Sequence, residues 1–136
     1  MAMRRAATMG LARCAVGAVL ILAPRSALRL SRREVPTGAA VLLMRTIGIR
    51  DLVLGLGTFA AARADEGGDA GRWLMVGLGS DGLDTLAALV SRNAIGLPET
   101  LFASGAAASF VALDLWALRT VPLETLRTAW PDSAIP

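Results

Sequence analysis

Four apolar segments divided by short polar links constrain this chain more than any other feature. They run from about Ala6 to Pro24, Gly38 to Ala62, Arg72 to Val90 and Pro98 to Leu118. Each is roughly 19–25 residues long, enough for an α-helix rising about 1.5 Å per residue to cross ~30 Å of hydrocarbon. The links PRSALRLSRREVP, ARADEGGDAGR and SRNAIGLPE carry the prolines, glycines and charges expected of connections. Period-2 alternation is nowhere sustained, and Ala and Leu outweigh the β-branched residues, so strands are not expected. The fold class is therefore all-α: one domain over residues 1–136, an integral membrane four-helix bundle.

A soluble, alanine-rich bundle is the competing architecture, because no charge-free run reaches the length of a span. The longest, Thr100 to Leu113, has 14 residues. Composition weighs against it. Apolar residues make up 54% of the 136 and mean hydropathy is +0.56, whereas apolar usage in soluble domains, glycine included, is ~45–50%. A soluble amphipathic helix also needs a broad polar face, and none of the four segments has one. If the helices alternate in direction, Trp73, Trp116 and Trp130 all fall at one membrane face, as an aromatic belt does. Leu123, Leu126 and Trp130 share a helical face between two prolines, which suggests a short interfacial helix in the C-terminal tail. Arg4 and Arg5 ahead of an apolar run resemble a secretory signal. Arg13 interrupts that run and no small-residue cleavage site follows, so a retained first helix is expected. The setting is multi-pass in a bacterial inner membrane, with the lipid bilayer as first partner. Arginine counts at the two faces are near parity and leave the orientation open.

All 14 basic residues are arginine; Lys, His and Tyr are absent. No basic stripe interleaves with aromatics, which argues against nucleic acid as a partner. The single cysteine, Cys14, reads as a small buried hydrophobe. Without histidine or a cysteine cluster there is no zinc or haem set, so no metal and no cofactor is expected. GLG at Gly55–Gly57 and Gly77–Gly79 completes no phosphate-loop pattern and has no lysine; close helix packing explains it better, and a duplicated two-helix unit is a weaker implication.

The charges inside the segments are the informative residues. At 100° per residue, Gly10, Arg13, Gly17 and Leu20 align on the first helix, and Asp51, Gly55, Thr58 and Ala62, with Gly48 beside them, on the second. Gly77, Asp81, Asp84, Thr85 and Ala88 share a face of the third helix, and Thr100, Ala103, Ala107, Phe110 and Asp114 one of the fourth. Each helix thus sets an ionisable residue on a small-residue stripe, the kind of face through which membrane helices approach closely. Arg13 and Arg50 are expected to meet Asp51, Asp81, Asp84 and Asp114 in the bundle interior, with Arg45 snorkelling toward the opposite surface. An unpaired charge at a helix centre costs about 2.5–3.5 kcal/mol on insertion scales. Two arginines cannot neutralise four aspartates, so at least one carboxyl is expected to hold a proton.

The run RTIGIRDLVLGLG, Arg45 to Gly57, resembles the signature of a family of small four-helix membrane proteins common in actinobacteria and known only as a domain of unknown function. That pattern is an Arg, then G-x-R-D, then alternating Leu and Gly, followed by an Asp on the third helix. It implies the same fold over about residues 6 to 119 and singles out Gly48, Arg50, Asp51, Gly55 and the third-helix Asp81 or Asp84. A looser likeness exists to DoxX-type membrane proteins.

Three functions fit. The first is an accessory or scaffold membrane protein whose Arg–Asp pairs and Asp–hydroxyl bonds fix helix register, acting as a homo-oligomer or in a larger membrane complex. The second is a membrane enzyme, such as an isomerase or cyclase, acting on a lipid-soluble small molecule by acid–base chemistry. Asp81 would lead there, then Asp84 and Asp51, with Arg13 as counter-ion. The third is a small proton-linked carrier. An enzyme needs an apolar pocket of ~300 Å³ or more with convergent polar groups, which separates the first two.

Overall fold

The computed structural model describes residues 2–31, 36–64 and 67–121, and every regular element among them is a helix. In chain order these are α1 (Ala2–Leu22), α2 (Pro24–Ser31), α3 (Gly38–Arg63), α4 (Gly67–Val90), α5 (Arg92–Ile95) and α6 (Leu97–Leu118). The four long helices occupy the four apolar segments. Two features of the links differ from the sequence expectation. Pro24 opens the two-turn α2, where its missing N–H and fixed φ suit a first helical position. Leu28 of α2 is buried while Leu30 is exposed, so the link carries its own amphipathic turn. Helix α4 also begins at Gly67, five residues earlier than its apolar run.

The boundaries have local causes. Thr37 caps α3 by accepting the Ala40 N–H at 3.2 Å. Gly96, at φ 89°, lies in the left-handed region that favours glycine. Its N–H donates to the Arg92 carbonyl (2.9 Å) and its carbonyl accepts from Thr100 N–H (3.1 Å), so one residue ends α5 and starts α6.

The closest packing is between α1 and α3, which run antiparallel. Gly10 opposes Gly55 and Gly17 opposes Gly48. A Cβ at Gly10 would sit 2.7 Å from the Gly55 carbonyl oxygen, and one at Gly17 would sit 2.6 Å from that of Gly48. The reciprocal distances are 2.6 and 2.8 Å. Backbone therefore meets backbone at two places seven residues apart, which only glycine permits. Between them the facing backbones bring Arg13 and Cys14 beside Asp51 and Leu52. The other main pairing is α4 with α6, and α3 with α4 joins the two halves. At one end Ala6, Met9, Ala62, Ala70, Leu74, Ala117 and Val121 form an apolar plug. Trp116 at that end lies under the Arg5 guanidinium, 4.8 Å from the ring centroid, and the Trp73 ring lies flat against Gly57. These two tryptophans share one end of the molecule, as the aromatic-belt argument requires. Trp130 and the expected interfacial tail helix lie outside the described residues.

Three helical stretches, Met3–Leu22, Asp69–Val90 and Leu97–Leu118, are long and apolar enough to cross a membrane. Helix α3 is longer than any of them but carries Arg45, Arg50 and Asp51 in its interior.

Candidate functional site

Around Arg13, polar and charged side chains are buried while large apolar side chains of the long helices face outward. The outward residues of the long helices include Leu11, Val19, Leu42, Val53, Leu83 and Leu101, all at least half exposed, while the buried polar residues include Arg13, Asp51, Thr58, Asp81, Thr100 and Asp114. The largest fully buried side chain is an arginine.

Arg13 projects from the middle of α1, between Gly10 and Gly17, and its guanidinium is met by carboxylates from three other helices. Nη1 lies 3.4 Å from Asp51 Oδ1 on α3, and Nη2 donates to Asp114 Oδ2 on α6 at 2.6 Å and to Asp81 Oδ2 on α4. All four side chains are within 4% of complete burial. The Phe110 ring covers the guanidinium, its centroid 4.8 Å away. Room for this arrangement comes from Gly77, where a Cβ would stand 2.8 Å from Arg13 Nη2 and 3.0 Å from Asp114 Oδ2.

Arg50 extends the network toward the surface. Its Nη2 lies 3.2 Å from Asp51 Oδ1 and 3.5 Å from Asp81 Oδ1, while Nη1 donates to Asp84 Oδ2. Asp51 and Asp81 are therefore shared between the two arginines, and the chain of pairs runs Asp114, Arg13, Asp51 with Asp81, Arg50, Asp84. All six ionisable residues expected in the interior come together. Asp84 and Arg50 depart from the expected interior: they sit at the open edge of the cluster, their side chains 41% and 30% exposed. A 100° wheel separates Asp84 from Asp81 by 60°, enough to turn one to the centre and the other to the rim.

With every group ionised, four carboxylates against two guanidiniums leave two negative charges. Oδ1 of Asp114 is buried without a hydrogen-bond partner, as is Nε of Arg50. The expected Asp–hydroxyl bonds are not found among the described residues. Thr58 and Thr85 instead donate to carbonyls one turn back in their own helices, at 2.8 Å each, and Thr100, Ser104 and Ser109 do likewise. Arg13 fills the point where three carboxylates converge, so that space holds a guanidinium, and no group of three metal ligands occurs among the described residues.

A cavity of about 590 Å³ opens between α4 and α6, lined by Gly79, Gly82, Leu83, Thr85, Leu86, Ala108 and Val111. It is large enough for a lipid-soluble molecule, but it is a wide groove and no ionisable residue lines it. The packing glycines also divide. Gly48, Gly55 and Gly77 are each in close contact, as expected, and Gly57 faces Trp73, whereas Gly79 and Gly82 have open space. Of the expected α6 stripe, Ala103 is exposed while Thr100 and Asp114 are buried.

Sequence reasoning missed the pairing of Arg13 with Phe110 and the clearance at Gly77. Both residues stood on the right faces, but alignment on a wheel does not say which helix a face meets. Comparison of the chain with protein-family models, curated proteins and solved structures gives no match.

Proposed function

We propose that this is a four-helix bundle of the bacterial inner membrane, spanned by α1, α3, α4 and α6, in which the Arg–Asp network fixes helix register for an accessory or scaffold role. The observation that carries the reading is the inversion of burial around Arg13: a guanidinium bonded to three other helices inside a shell of exposed Leu, Val and Ile. Ionisable groups in membrane spans face the interior and pair with one another, since lipid cannot solvate them. Two of the three inner charges of α3 belong to the network, which removes the main objection to that helix as a span. Arg45, exposed and seven residues from the α3 start, has a long apolar stem to carry its charge toward the interface. The resemblance of Arg45 to Gly57 to a four-helix membrane family fits the same reading.

The network is spent on joining helices. An enzyme acting through Asp81 would need a path from the bilayer to a carboxylate that is 1% exposed, and the groove beside α4 stops at apolar residues and Thr85. A carrier has the same requirement.

Reporter fusions within 32–35, 65–66 and 91–96 and at the C-terminus should alternate sides, with both termini on one side. Extraction at alkaline pH should leave the chain in the membrane. Release into the supernatant, or a link between α3 and α4 on the same side as the link after α1, would refute the topology. Retained function of a partner complex after Asp81→Asn, with function lost in proportion to stability across Arg13 variants, would fit the scaffold role. A substrate turned over by wild type and not by a stably folded Asp81→Asn chain would sink it.

A further inference from the structure

The Arg50–Asp84 pair is in an awkward place for a membrane helix. Arg50 has twelve residues of α3 before it and thirteen after it. At about 1.5 Å per residue it is therefore ~18 Å from either end, near the middle of the span. Asp84, bonded to it, lies six residues, about 9 Å, before the end of α4 at Val90. The side chains of the other members of the network are at most 4% exposed, but these two are open by 30% and 41%. Charged groups inside a span are not left against hydrocarbon. Something polar covers this edge.

We infer that the cover is a second copy of the chain, joined through the α3–α4 face so that Arg50 of each protomer meets Asp84 of the other. This rests on the membrane reading above. The charge arrangement is what commits it to a second copy. A guanidinium and a carboxylate side by side at one depth are self-complementary under a two-fold axis along the membrane normal. Such an axis preserves depth, sets α3 of one protomer against α4 of its partner, and joins two edge-exposed pairs into a closed ring of four charges. An isologous contact needs a patch that complements itself, and this one does.

The shape of α4 agrees independently. Ser80, Asp84 and Ala87 recur at helical spacing on one side of α4, with Ala87 exposed. The same helix carries Leu86 and Leu89, exposed by 59% and 48%, on its far side, while Leu83, exposed by 68%, borders the stripe. A small and mildly polar stripe running through the charge allows the close helix approach that a bulky leucine face does not.

The test uses the full chain with Cys14→Ser, reconstituted in lipid vesicles, carrying either Ala87→Cys on the stripe or Leu86→Cys on the far side of α4. A short bis-maleimide should link Ala87→Cys into a dimer and leave Leu86→Cys monomeric. Single-molecule bleaching of the labelled chain with its native 50 and 84 residues should show two steps. Arg50→Asp and Asp84→Arg, each alone, set like charges across the axis and should cut the cross-linked yield by about tenfold or more. Co-expressed under two tags, they should restore it as the mixed pair only. The two-step bleaching stands as a test even if a charge variant fails to fold. A single bleaching step at every lipid dilution, with the chain retained on alkaline extraction, overturns the inference and leaves the membrane reading intact. So does linkage at Leu86→Cys in place of Ala87→Cys. Release on extraction overturns both.

Discussion

Gly55→Ala should cost this protein stability where Gly79→Ala should not, although both replace a glycine inside a long helix. A methyl at Gly55 would fall 2.6 Å from the Gly10 carbonyl oxygen and 2.8 Å from both the N and the Sγ of Cys14. Carbon and oxygen in helix–helix contact settle at about 3.3–3.6 Å, so α1 must move out by roughly 0.7–1.0 Å. A gap of that size forfeits about a quarter to a half of the dispersion well for each atom pair along the seam. It also lengthens the Arg13–Asp51 contact, already 3.4 Å. Overpacking of this kind costs about 1–3 kcal/mol, offset in part by the ~0.5–1 kcal/mol that alanine gains over glycine in a helix. Gly79 has nothing within 4 Å of its Cβ position, so Gly79→Ala keeps only the gain. Because propensity cancels between the two variants, their difference isolates the seam at about 1–3 kcal/mol, a factor of roughly 5–150 in the unfolding constant. Reversible unfolding by titrating dodecyl sulfate into mixed micelles, followed by tryptophan fluorescence, measures it. Midpoints that coincide within about 0.5 kcal/mol would show that the two helices do not meet backbone to backbone, and the placement of Arg13 between the glycines would fall with that.

Two further outcomes follow from the network. Arg13→Met removes the cation and leaves Asp51, Asp81 and Asp114 buried together, a loss of about 3–5 kcal/mol in the same titration, whereas Asp114→Asn, which lessens the charge excess, should cost well under half of that; equal losses would contradict the central position of the guanidinium. Gly77→Ala presses on Arg13 Nη2 and Asp114 Oδ2, so its cost should shrink when combined with Asp114→Ala, a coupling of at least about 0.5 kcal/mol in a double-mutant cycle; strict additivity would place Gly77 away from the pair.

The long helices were legible because an apolar run of span length leaves a chain few alternatives. The interior was legible through the wheel: Gly10, Arg13 and Gly17, and Gly48, Asp51, Gly55, Thr58 and Ala62, are all buried, and the glycine pairs face one another. What a wheel lacks is the partner. It put Asp84 with Asp81, though a 60° turn separates centre from rim, and Ala103 with Asp114, though α6 buries only the ends of that stripe. It also credited the Ser and Thr hydroxyls to the aspartates, where a helical hydroxyl has its own carbonyl one turn back within easier reach. Helix α2 escaped notice because eight residues with two arginines give too short a pattern to separate a turn of helix from a polar link.

The sequence distance between Arg13 and Asp114 sets an order of events during synthesis. The two pair in the folded chain but are 101 residues apart. At about 5–20 residues per second the arginine leaves the ribosome roughly 5–20 s before its last carboxylate. On the membrane reading proposed above, α1 would hold its cation through that time with first no counter-ion, then Asp51 and then Asp81. On that reading the arginine waits for its last counter-ion until α6 has been made. Moving the Asp114 charge to an earlier helix would shorten that wait with no change in the finished network's charge.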